Sequence, residues 1–136
     1  MAEGAPRALH RLHPMYSETL LDHFQNPRNV GTLDPPAVVV EVSNPICGDI
    51  LQLSALAAEG RVREVRYKTR GCTASIAAGS ALTELIHGRT FEELAALRAA
   101  DVEQAVGGLS NESRHAAVLA IDGVRALLQS LREALD

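Results

Sequence analysis

The hydrophobic pattern of this chain changes period at Gly71, and that change limits the fold to one class. Upstream of it, apolar residues alternate. Val38, Val40 and Val42 share one face of a strand over 37–43, and Leu51, Leu53 and Ala55 alternate with Gln52 and Ser54 over 49–57. A third strand is predicted over 61–69. Alternating, β-branched runs suit a pleated, half-buried surface. Asn44-Pro45 breaks the first strand and Glu59-Gly60 supplies a turn, so the connections are short enough for an antiparallel meander.

Downstream of Gly71, Ala74, Ala77, Ala78, Ala81, Leu82 and Leu85 fall on one helical stripe, which His87-Gly88 ends with a glycine suited to a C-terminal cap. Thr90 with Glu93 reads as a capping box opening a helix to Arg98. Asp101 with Gln104 predicts a short helix stopped by Gly107-Gly108. Asn111 reads as the cap of a long last helix carrying Ala117, Ala120, Val124, Leu127, Leu131 and Ala134. Ahead of the sheet, Tyr16, Leu20, Leu21 and Phe24 predict a helix from near Met15, closed by Asn26-Pro27. The expected fold is therefore α+β: a small three-stranded antiparallel sheet, helices packed on one face, and a long C-terminal helix.

Composition then narrows the function classes. Hydrophobic residues make up 46% and charged residues 22%, enough for a core, while 3% aromatics make that core aliphatic. A net charge of −4 argues against a nucleic-acid binder, which needs a basic face for phosphates. No apolar run approaches the ~20 residues of a membrane span. Residues 1–14 hold Arg7, His10, Arg11 and His13 but no apolar stretch of the about 7–15 residues of a secretory signal. They are expected to be a flexible leader before a single domain over 15–136. Only two cysteines occur and nothing points to secretion, which favours a cytoplasmic chain whose thiols are free for metal or sulfur chemistry.

Both thiols sit at turns. Cys47-Gly48-Asp49 follows Asn44-Pro45 between two strands, offering a thiol and a carboxylate two positions apart. Cys72 follows Gly71 where the third strand gives way to a helix, whose free N-terminal amides favour negative charge nearby. In a meander, both junctions can lie at one end of the sheet. Two thiols and a carboxylate meeting there would suit zinc or iron, although buried inert thiols are also common.

Longer strings point to a family. Residues 15–31 (MYSETLLDHFQNPRNVG) resemble the opening of the IscU/NifU N-terminal family of iron–sulfur cluster assembly scaffolds. Asn44-Pro45-Ile46-Cys47-Gly48-Asp49 is similar to its first ligand loop, and residues 67–75 (YKTRGCTAS) to its second. The resemblance implies a scaffold rather than an enzyme. Such a protein holds a transient [2Fe-2S] cluster, or iron, with zinc in the resting state. It receives sulfur from a cysteine desulfurase and passes the cluster to recipient apoproteins. Carried onto this chain, the family ligands are Cys47, Asp49 and Cys72, with a histidine and a further cysteine expected at the start of the last helix.

There the chain departs from the family: His115 matches, but Ala116 stands where the cysteine is expected. Alanine neither ligates a metal nor accepts sulfur. Cys47, Asp49, Cys72 and His115 still offer four donors, and histidine can replace cysteine at iron–sulfur clusters. The alternative is a metal-binding but assembly-incompetent regulator of the same pathway. Position 116 is expected to face the accessible site. Residues 109–114 (LSNESR) lack the proline-rich segment of IscU-type members, so no dedicated chaperone is expected. His10, His13, His23 and His87 match no ligand position and are expected at the surface. Arg66, Lys68 and Arg70 alternate on the third strand, as a solvated face or as a docking patch for an acidic partner such as the desulfurase.

Overall fold

The structure, a computed structural model, describes residues 16–45 and 48–135. The elements are α1 (Glu18–Gln25), β1 (Val38–Asn44), β2 (Asp49–Ala58), β3 (Arg61–Arg70), α2 (Thr73–Ile86), α3 (Phe91–Ala96), α4 (Ala99–Ala105) and α5 (His115–Leu135). A 3₁₀ turn at Asn111–Ser113 precedes α5. The three strands form the antiparallel sheet β1-β2-β3, and α5 packs on β1 and β2 while α2 packs on β3. The expected α+β class, sheet order and long last helix are all observed.

The register follows from the alternation. Leu51, Leu53 and Ala55 point into the core, where each is at most 2% exposed. The β2–β3 hairpin turns through Glu59 and Gly60, both at positive φ (57° and 74°), the geometry that matches the twist of a two-residue hairpin. Two glycines let the helices lie close to the sheet. A Cβ on Gly79 would come within 2.5 Å of the Tyr67 ring, and one on Gly123 within 2.9 Å of Leu51. Burial pushes the Tyr67 hydroxyl pKa up to about 12, and that hydroxyl donates to the Ile76 carbonyl at 2.9 Å.

Several boundaries differ from the expectation, each for a local reason. Ser17 caps α1, accepting from the Leu20 amide at 2.9 Å and donating to the Val106 carbonyl, so the helix starts at Glu18. The capping box of Thr90 and Glu93 opens α3, but α3 stops at Ala96 because Arg98 caps the next helix, its amide bonding the Asp101 carboxylate at 2.9 Å. Asn111 begins the 3₁₀ turn instead of capping α5. Ser54, expected to face outward, is fully buried. Residues 29–31 run along the free edge of β3, and the chain then crosses the helix-free face of the sheet, where the Leu33 amide donates to Ser54 Oγ at 2.9 Å. Among the described residues no helix is long and apolar enough to cross a membrane. The expected leader lies outside the described residues.

Candidate metal centre

The meander brings separate stretches of chain to one end of the sheet. Asn44 pairs with Asp49 and Ile50 with Arg70, so β2 begins where β3 ends. Asp49 is the first residue of β2, and Cys72 is the N-cap of α2. His115 opens α5, so two helix N-termini meet at the same end of the sheet.

Cys72 occupies a position where Ser, Thr, Asp or Asn ordinarily bonds a helix amide, yet its side chain makes no capping bond. The thiol faces the other donors instead. Cys72 Sγ lies 3.6 Å from His115 Nε2 and 3.8 Å from Asp49 Oδ2, and His115 Nε2 lies 3.4 Å from that same carboxylate oxygen. One donor atom from each of the three residues falls within 4.8 Å of the others. Cys72 is exposed, Asp49 is buried and His115 is partly buried, so the cluster opens on one side.

Neighbours fix the donors in place. His115 Nδ1 lies 3.0 Å from the Glu112 carbonyl; donation there leaves Nε2 with its lone pair toward the thiol and carboxylate. The Asp49 carboxylate lies against Gly71, where a Cβ would stand 2.7 Å from its Cγ. Any other residue at 71 would displace it.

Of the four expected site residues, Asp49, Cys72 and His115 come together. Cys47 lies outside the described residues. Ala116, expected to face the accessible site, is instead 2% exposed and part of the core. Successive helical residues point about 100° apart, so His115 turns to the site while its neighbour turns inward. His23, expected at the surface, is also buried: its Nδ1 lies 2.8 Å from Ser80 Oγ and its Nε2 3.7 Å from Glu84. Lys68 and Arg70 are exposed and Arg66 is partly buried, its guanidinium on the Val65 carbonyl at 2.8 Å. Sequence reasoning missed Ser75, which donates to Asp49 Oδ2 at 2.5 Å. The available signal was its place three residues after Cys72, on the same face of the helix.

A small α+β domain that gathers a thiol, a carboxylate and an imidazole at one end of its sheet is of the class able to hold a transition metal. The family described as NifU-like N terminal domain matches residues 15–134, and the chain belongs to that family. It is 40% identical to the iron–sulfur cluster assembly scaffold protein IscU 1 of Archaeoglobus fulgidus, over 82% of this chain and 72% of that protein. With the protein named as IscU of Escherichia coli, also as a scaffold, it shares 36% identity over 88% of this chain and 98% of that one. A structure described as a candidate scaffold of the SUF system from Fervidobacterium islandicum superposes with a TM-score of 0.68. It covers 85% of this chain and 98% of the other at 20% identity, a likeness of fold.

Proposed function

We propose that this chain is an iron–sulfur cluster assembly scaffold that holds iron or a [2Fe-2S] cluster as cargo at Asp49, Cys72 and His115. The observation that carries the reading is the mutual approach of those three donors, at 3.4–3.8 Å, in a chain whose relatives are named as scaffolds. Cys47, two positions before Asp49 in the chain, is proposed as the fourth donor. The donor set suits such cargo: thiolates hold iron or zinc firmly, while a carboxylate and an imidazole are harder and release it more readily. Zinc would occupy the same donors in the resting state. A cysteine desulfurase would supply sulfur and apoproteins would accept the product, in the cytoplasm.

The test is anaerobic incubation with a cysteine desulfurase, cysteine and ferrous iron, followed by visible spectroscopy and transfer to an apo-ferredoxin. A scaffold develops sulfur-to-iron absorption and activates the acceptor. A second reading, a metal-binding regulator that builds no cluster, draws on the chain's having two cysteines, with Ala116 where the family expects a third. It predicts bound metal without cluster absorption.

A further inference from the structure

Ser75 lies at the third position of α2, where a polar side chain ordinarily reaches back to the N-cap amide. Here it reaches out of its own helix to the first residue of β2. Its hydroxyl donates to Asp49 Oδ2 at 2.5 Å, the length of a strong bond from a hydroxyl to a carboxylate. The same oxygen atom of Ser75 stands 3.4 Å from Cys72 Sγ. Both partners are buried, Asp49 at 5% and Ser75 at 4% exposure, so water does not stand in readily for either. The other polar groups near Asp49 Oδ2, His115 Nε2 at 3.4 Å and Cys72 Sγ at 3.8 Å, are too far to hold it as tightly.

Resting on the reading of these residues as a metal site, we infer that Ser75 is a positioning residue that holds Asp49 in the donor cluster. Gly71 clears space on one side of the carboxylate and Ser75 anchors it on the other. A carboxylate oxygen has a second lone pair, so Oδ2 can accept from Ser75 and still ligate. The serine hydroxyl has one proton, which points along the hydrogen bond to Asp49. Its lone pairs are therefore what it turns toward Cys72, and it acts on the thiol only as an acceptor. Without the hydroxyl, the buried carboxylate loses its strongest hydrogen bond and swings toward His115, so one donor leaves its place and a second is partly blocked.

The test uses the full apo chain and cobalt(II) alone as the probe, read from the thiolate-to-cobalt charge-transfer band. Ser75→Ala is smaller and a good helix former, and circular dichroism verifies that it folds. The expected result is an affinity about 10–100-fold below wild type, with the charge-transfer band still present at saturating cobalt. In an Asp49→Ala background, Ser75→Ala is expected to change affinity no further, because its role runs through that carboxylate. Equal losses in both backgrounds would reduce Ser75 to a packing residue and overturn the inference. So would an unchanged affinity in the single variant. A wild-type chain with no charge-transfer band is a different failure: it removes the metal site itself, and the inference with it.

Discussion

Two polar clusters pack against the same helix, α2, and differ in what their atoms have left to do. Along its middle, Ser80 Oγ meets His23 Nδ1 at 2.8 Å and accepts the Arg28 amide at 2.9 Å, while Thr83 Oγ1 accepts from Asn29 at 3.0 Å. Arg28 in turn bonds Asp22 at 2.6 Å. Those groups bond one another and clip α1 and the following loop to the core, with Arg28 Nη1 the one buried side-chain nitrogen or oxygen left without a partner among the described residues. At the N-terminus of α2, Cys72, Asp49 and His115 approach to 3.4–3.8 Å, too far to satisfy one another fully. The contrast separates a cluster that closes upon itself from one that converges on a common point. Each cluster contains a histidine, and only the second leaves a ring nitrogen facing a thiol.

Removing the thiol is expected to separate the two clusters most strongly. Cys72→Ala is expected to lower zinc or cobalt affinity by about 100-fold or more, since the thiolate is the softest donor described. Its melting temperature should change little because the side chain is exposed. Isothermal titration and a thermal melt measure both.

The paired histidine variants come next. His115→Ala is expected to weaken metal binding about 10–100-fold with little change in stability. His23→Ala should do the reverse, leaving affinity intact while costing about 1–3 kcal/mol in urea unfolding, because a buried hydrogen-bond partner is lost. If both variants lose affinity alike, the two clusters are not functionally distinct. Gly71→Ala is a milder perturbation: the new Cβ displaces the Asp49 carboxylate, and affinity should fall by less than in His115→Ala.

The smallest expected effect is on pH dependence. Burial is the main cause pushing the His23 pKa below 6.5, and Arg28 adds to it, while Glu84 and Asp22 oppose. The unfolded chain therefore binds more protons at that position than the folded one, and its contribution is present above about pH 6.5 and lost as the pH falls. Urea midpoints of the apo protein should drop between about pH 7.5 and about pH 5.5, and His23→Gln should flatten part of that drop.

What was legible in the sequence was local. The alternation of Leu51, Leu53 and Ala55, the Glu59-Gly60 turn and the Thr90/Glu93 box each depend on residues a few positions apart, and all are observed. The junction residues Asp49 and Cys72 were legible because a meander of short connections returns the chain to the same end. The inward turn of Ala116 is not legible in the sequence: the resemblance expects a cysteine beside His115, but a helix separates neighbours by about 100° and Ala116 falls on the core side. The burial of His23 and the bond from Ser75 to Asp49 depend on partners distant in the chain, Ser80 and Asp49, that no local pattern announces.

X-ray absorption at the zinc edge of the loaded chain reads out directly whether Cys72 and His115 ligate. The expected shell mixes sulfur and lighter donors, with imidazole scattering that disappears in His115→Ala and persists in His23→Ala. A shell without sulfur, or imidazole scattering that survives the loss of His115, would contradict it.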